Sequence, residues 1–308
     1  MTKLKKDRYL LLLFLAAFWV VGLILGRFFD LDIARRVYLE NNKGAVAWSV
    51  VGIYMFYGSF VFLLGVQFKQ CFLAVKKTSS KVLVTLFFSY CALSTSTYSG
   101  ATILSDSVLG FLYPGNSYTL VQCMITGAIM FLPLYPLGVL LNGKKCDKKA
   151  IRDLIVLLSV MTVCVFFSNI VKSLVMRPRY RITLLGYEGI DFLPVFNFLK
   201  NGRVLKAAYG LVTDDLASFF SGHAMNAMIC LIILPAYRYV IPWFQRREKA
   251  LIGLALLIAI PIDFSRMMLG DHYLSDVSFG SLVGLMFCLI YYRILLKVRE
   301  PAANGTQR

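Results

Sequence analysis

The chain holds two histidines, His223 and His272, and each stands among residues suited to an anion. Lys172, Arg177, Arg179 and Arg181 fall within ten residues, a cluster of positive charge at the end of an apolar run. Lys172 and Arg179 are seven residues apart, so a helix running through both would carry them on one face. Ser221 and Gly222 precede His223 at the start of another apolar run. A helix beginning there offers a hydroxyl and unpaired backbone N–H groups, with the helix dipole favouring negative charge. Gly222 carries no side chain to keep a phosphate off that backbone. Ser265 and Arg266 close a further apolar run, and His272 and Asp276 follow four residues apart. One helical turn would let the Asp276 carboxylate accept the imidazole N–H and fix the tautomer that leaves the other nitrogen free. A lone histidine is usually structural; two on one side of a basic cluster point to catalysis on an anion.

These residues must be positioned by membrane helices. Of 308 residues 58% are apolar and 16% are charged, where a soluble domain carries about 25% charged residues. With a mean hydropathy of +0.70, this excludes a disordered chain and argues against a soluble enzyme. The net charge of +17 does not make a nucleic-acid binder, because long apolar runs leave too little polar surface. A helix needs roughly 20 apolar residues to span a bilayer. Eight stretches meet that length, near 9–27, 46–68, 82–104, 119–142, 151–172, 217–240, 249–268 and 274–296. The first follows Lys3, Lys5, Lys6 and Arg8 as in a signal peptide, but Gly26-Arg27-Phe28 offers no small-residue cleavage site, so an uncleaved helix is expected. Ser94-Thr95-Ser96-Thr97 makes the middle of the third span polar. Seven cysteines show no metal or disulfide spacing, and Cys91, Cys123, Cys164, Cys230 and Cys288 lie in apolar runs.

Lys and Arg between the spans set the orientation. Loops with Lys69, Lys76, Lys77 and Lys81, with Lys144, Lys145, Lys148 and Lys149, and with Arg246, Arg247 and Lys249 are expected in the cytoplasm. The tail with Arg293, Lys297 and Arg299 joins them, and the loop near Asp106 faces outward. Both termini are then cytoplasmic, and both histidines stand at outer helix ends. Lys200, Arg203 and Lys206 lie in a long outer loop, which translocates regardless of charge.

Three ordered segments, Lys172 to Arg179, Ser221-Gly222-His223 and Ser265-Arg266 to His272 and Asp276, resemble the type 2 phosphatidic acid phosphatase superfamily. Its pattern is Lys-x6-Arg-Pro, Pro-Ser-Gly-His, then Ser-Arg-x5-His-x3-Asp. The third motif matches throughout, while Phe220 and Tyr180 stand where the first two carry proline. A register through Arg177-Pro178 would put Ile170 at the lysine and is rejected. The resemblance runs from about residue 80 to 296. It implies an all-α, polytopic transmembrane bundle of about eight spans. A six-helix core, residues 81–300, would follow two additional N-terminal helices, residues 1–80, and precede a flexible tail, 301–308. The extra helices would serve as packing support, a dimerisation face or a surface for lipid access.

The resemblance also implies a metal-independent mechanism without a cofactor. His272, held by Asp276, would attack phosphorus to give a phosphohistidine. His223 would protonate the leaving oxygen and then activate water. Lys172, Arg179 and Arg266, the Ser221 hydroxyl and the Gly222 amide would neutralise the phosphoryl oxygens. Arg177 and Arg181 could contact a second phosphate or headgroup, or only lipid phosphates nonspecifically. Asp271 reads as structural or surface, and Asp214 and Asp215 as acids favouring a helix N-terminus. The aromatic segment from Tyr187 to Leu199 reads either as an interfacial flap over the site or as a packed cap. The expected reaction is hydrolysis of a lipid phosphate or diphosphate at the outer leaflet of the cell membrane, with no nucleic-acid partner. Short loops and the lack of an appended soluble domain favour bacterial lipids, undecaprenyl diphosphate or a glycerolipid phosphate. A phosphotransferase with the same pocket and an anion-binding transporter are the alternatives.

Overall fold

The computed structural model describes residues 3–105, 118–142 and 147–299. The loop at Asp106, Lys144 and Lys145, and the tail 301–308 lie outside the described residues. Among the described residues there is no β-strand, only an isolated bridge between Arg177 and Ala217. Seven helical spans among the described residues are long and apolar enough to cross a membrane, which makes the fold an all-α polytopic bundle.

Helix α1, Lys3–Val37, is far longer than its apolar run near 9–27. At about 1.5 Å per residue its 35 residues reach roughly 50 Å, beyond a bilayer core. The extension survives because Asp30, past the apolar run, is buried against partners elsewhere in the fold. Gly22 and Gly26 bring α1 onto α12: a Cβ at Gly22 would lie 2.5 Å from Ser278 Oγ, and one at Gly26 2.6 Å from the Ser275 nitrogen. Small residues four apart let membrane helices approach this closely.

The second span runs unbroken from Lys43 to Ala74 as α2 (Lys43–Ile53), a π-helical turn (Tyr54–Gly58) and α3 (Ser59–Ala74), and it is the most buried of the seven. Helix α4, Thr78–Ser105, tolerates its polar centre because hydroxyls bond back along the helix, Ser99 Oγ donating to the Thr95 carbonyl at 2.7 Å. The fourth span is broken into α5 (Leu120–Met130) and α6 (Leu134–Leu141), where Pro133 lacks the N–H that would continue the ladder. Gly127 of α5 packs on the Ser96 carbonyl of α4.

Helix α7, Lys148–Leu174, is capped by Asp147, whose carboxylate accepts the Lys149 and Ala150 N–H groups. The long connection after it holds short helices α8 (Tyr180–Thr183) and α9 (Gly202–Ala208). The expected span at 217–240 is the one that falls short: α10 covers only Gly222–Ala236, 15 residues, before a 3-10 turn. It sits inside the bundle against α2, α7, α11 (Glu248–Met268) and α12 (Leu274–Arg299), so protein rather than lipid covers it. One apolar core joins Leu12 and Trp19 of α1, Ile53 of α2 and Val61 of α3 to α10 and α12.

Candidate active site

Lys172, Arg179, Gly222, His223, Arg266 and His272 line one cavity of about 300 Å³. Four separate parts of the chain deliver them. Lys172 sits in the last turn of α7, but that helix ends at Leu174, so no continuing helix carries Arg179. Instead the chain turns through Arg177-Pro178 and is held beside the approach to α10. The Ser218 N–H donates to the Arg177 carbonyl at 3.1 Å, and the Arg179 N–H to the Asp215 carbonyl at 3.0 Å. Gly222 opens α10, where an added Cβ would stand 3.3 Å from Ser168 Oγ and 3.8 Å from Lys172 Nζ. The bare backbone at Gly222 therefore faces the lysine. His223 follows on the first turn of α10 and packs beside Gly52 of α2, whose Cβ would lie 3.2 Å from the imidazole Cδ2.

His272 is buried in the short connection between α11 and α12, and its Nδ1 lies 2.6 Å from the Ser218 carbonyl oxygen. Desolvation pushes its pKa well below 6.5, and the charges of Lys172, Arg179 and Arg266 push it the same way, opposed by the bond to Ser218. The ring is thus neutral at physiological pH.

The expected bond between Asp276 and this imidazole is not formed. Helix α12 begins at Leu274, so His272 and Asp276 do not share a helix and the one-turn spacing does not apply. The Asp276 carboxylate instead accepts from Arg177 Nη1 at 2.5 Å, from Ser218 Oγ at 2.5 Å and from the Tyr273 N–H at 3.0 Å. It braces the segment whose carbonyl holds His272. Ser221 likewise lies behind the cavity: its hydroxyl accepts the Ala224 N–H at 3.3 Å as the N-cap of α10.

Arg177 and Arg181 do not line the cavity, which removes the basis for expecting them at a second phosphate. Arg177 is fully buried, paired with Asp30 at 2.9 Å and with Asp276, and stacked over Tyr273 at 4.3 Å. Arg181 is drawn to Asp271 at 2.6 Å and to Asp214 and Asp215. Part of the aromatic segment after Tyr187 packs over this region, while Phe196 and Phe198 stay exposed. Phe192 stacks edge-on against Tyr273, and the Leu193 carbonyl accepts Arg177 Nε at 2.9 Å.

Three residues that matter here escape a motif-based reading. Asp271 is wholly buried and joins Arg179 at 2.5 Å, Arg181 at 2.6 Å and Arg266 at 2.7 Å. It thereby fixes two of the three cavity cations. Ser49 of α2 accepts a hydrogen bond from Arg266 Nη1. Asp30 carries the one available sequence signal, since Gly22, Gly26 and Asp30 recur every four residues along α1. Among the described residues no group of three or more His, Cys, Asp or Glu side chains could hold a metal ion.

A patch this arranged can hold a tetrahedral anion between three cations and a helix N-terminus, with two imidazoles beside it. Residues 153–300 match the family model of the PAP2 superfamily. Phosphatidylglycerophosphatase B of Bacillus subtilis (strain 168) is 37% identical over 78 residues, which are 25% of this chain and 38% of that protein. The chain thus matches well under half the length of that relative. No solved structure matches the chain. The stretch that matches the PAP2 superfamily, just under half of the chain, is thus the one whose Lys172, Arg179, Gly222, His223, Arg266 and His272, drawn from all three motifs, line a single cavity.

Proposed function

We propose that the protein is an integral-membrane phosphatase that releases phosphate from a lipid phosphate or diphosphate, without a metal, through a phosphohistidine. The observation that carries this reading is the bond of His272 Nδ1 to the Ser218 carbonyl. A carbonyl only accepts, so the proton resides on Nδ1 and Nε2 keeps its lone pair for phosphorus. In the first step Nε2 forms a P–N bond as the bond from phosphorus to the leaving oxygen breaks, that of the lipid alcohol or, in a diphosphate, of the remaining lipid phosphate, and His223, protonated at the outset, gives that oxygen its proton. In the second, His223 takes a proton from water, which attacks phosphorus as the P–N bond breaks and inorganic phosphate leaves. Lys172, Arg179, Arg266 and the Gly222 N–H stabilise the charge on the equatorial oxygens. Asp276 acts at one remove, through Ser218.

The substrate reading favours a glycerolipid phosphate, the class named by the Bacillus relative, with undecaprenyl diphosphate as the competing choice. Tyr98 and Thr102 of α4 and Asn169 of α7 line the cavity beside the cations, so it reaches along two membrane spans as a lipid headgroup would require. The distribution of Lys and Arg supports both termini in the cytoplasm and the cavity at the outer leaflet of the cell membrane, a reading that takes the enclosed α10 as an eighth crossing beside the seven lipid-length spans.

Detergent-purified protein given a panel of these lipids with excess chelator is expected to release inorganic phosphate, and His272→Ala to release none. Activity that requires added magnesium, or that survives His272→Ala, would overturn the mechanism. Appearance of a phosphorylated lipid acceptor with little free phosphate would make the protein a phosphotransferase instead.

A further inference from the structure

The family match begins at residue 153, yet a chain of buried contacts reaching His272 starts on α1, well outside that stretch. Asp30, fully buried, accepts three hydrogen bonds: from Arg177 Nη2 at 2.9 Å, from the Ser275 N–H at 2.9 Å and from Ser275 Oγ. The Ser275 hydroxyl also accepts from Arg177 Nη1 at 2.9 Å. The same guanidinium meets Asp276, Asp276 accepts from Ser218 Oγ, and the Ser218 carbonyl holds the nucleophilic ring. Both carboxylates on Arg177 are buried with it, so neither can exchange its partner for water.

We infer that Asp30 is a positioning residue of the active site, locking Arg177 and the first turn of α12 so that the Ser218 carbonyl holds one tautomer of His272. This gives α1 a role in the chemistry that packing support alone would not. The close approach at Gly22 and Gly26 is what lets a residue on α1 reach the start of α12. An asparagine at position 30 could not serve both partners. With its oxygen on the Ser275 N–H its amide would point donor against donor at the guanidinium, and flipping it would lose the Ser275 bond.

The inference rests on the proposed phosphatase reading for its kinetic consequence, and its test has a readout that does not. The chain contains only two histidines, so protein labelled with 15N-histidine gives a spectrum simple enough to assign with His223→Gln. Full-length wild type in detergent at pH 8 is expected to show His272 as a single Nδ1–H tautomer. Asp30→Asn is expected to show a mixture of tautomers and a kcat lower by about 10- to 100-fold, with KM changed less than about threefold, the cost of a small misplacement of a reacting group. If Asp30→Asn does not fold, Ser275→Ala decides. It keeps the carboxylate and guanidinium but removes the hydroxyl bridging them, and a smaller shift in the same direction is expected. A single unperturbed tautomer in the folded variant overturns the inference whatever its kcat, because packing loss alone would lower activity without freeing the ring. Should wild type release no phosphate from any lipid, the phosphatase reading fails while the tautomer spectra still decide the role of Asp30.

Discussion

His272 Nδ1 faces the carbonyl oxygen of Ser218 across 2.6 Å, while the carboxylate four residues along the chain, Asp276, binds the Ser218 hydroxyl instead. One residue therefore joins the ring to the acid, through two different groups. Ser218→Ala retains the carbonyl and removes the hydroxyl. Its kcat is expected to fall by about tenfold, the share of one hydrogen bond of about 1.5 kcal/mol to a charged group. Steady-state kinetics on the preferred lipid check this, and a loss as large as that of His272→Ala would mean that Ser218 contributes more than position.

The burial of His272 and its three cationic neighbours sets the acid limb of the pH profile. In the proposed mechanism His272 must be neutral to attack, and its folded-state pKa is depressed below 6.5, so the fraction of usable enzyme is expected to fall only below the pH at which ordinary histidines protonate. Plots of kcat/KM against pH are expected to stay flat from pH 8 to pH 6.5 and to decline below that, as far as this ring governs them. The same shift means that the unfolded state binds the extra proton first, so this group's contribution to stability is present above pH 6.5 and is lost as pH falls toward the folded pKa.

Asp271 holds three arginines and has no exposed surface. Replacing it with alanine leaves buried positive charge without its partner, which costs about 3–5 kcal/mol. Asp271→Ala is expected to lower the unfolding temperature in detergent sharply and to raise KM for the lipid phosphate. Arg181→Ala, at the partly exposed edge of the same network, is expected to change KM less than about threefold, the consequence of a weakly contributing exposed ion pair.

Gly222→Ala tests the cradle. The new methyl group would stand 3.3 Å from Ser168 Oγ and 3.8 Å from Lys172 Nζ, inside the space a phosphoryl oxygen would take. Alanine suits a helix start, so the unfolding temperature should hold while inhibition by inorganic phosphate weakens about tenfold, or 1.4 kcal/mol. Equal inhibition of both proteins would place the phosphate elsewhere.

Gly127→Ala tests the helix contact that keeps α4 in place. Its Cβ would fall 2.0 Å from the Ser96 carbonyl oxygen, backbone against backbone, whereas a Cβ at Gly253 would meet nothing within 4 Å. Thermal unfolding of the two alanine variants is expected to show a loss of about 1–3 kcal/mol or more for the first and little change for the second.

Hydropathy alone placed most of the spans, because lipid demands long apolar runs whatever the tertiary structure. It misplaced the elements that protein rather than lipid stabilises. Helix α1 runs on past Arg27 because Asp30 finds buried partners 147 and 245 residues away, and α10 can be short because other helices enclose it. The motif residues Lys172, Arg179, Gly222, His223, Arg266 and His272 were legible as one site, since the chemistry of an anion requires those types together. The supporting roles were not. Asp276 was expected on the His272 imidazole from helical spacing, but α12 begins only at Leu274 and the carboxylate turns to Arg177 and Ser218; Ser221 was expected at the phosphate, but its hydroxyl caps α10. Asp30, Ser49 and Asp271 act through partners that only the folded chain brings near.

The enclosure of α10 has a mechanical consequence. A helix in contact with lipid tilts or shifts when the hydrocarbon thickness changes, and α1, α4 and α5 present wide apolar faces that would feel such a change, with Phe14, Leu83 and Ile129 among their exposed side chains. The helix that carries His223 has no such face and is shorter than the bilayer is thick. Its depth is set by its protein neighbours, so His223 does not answer directly to fluctuations of the surrounding lipid.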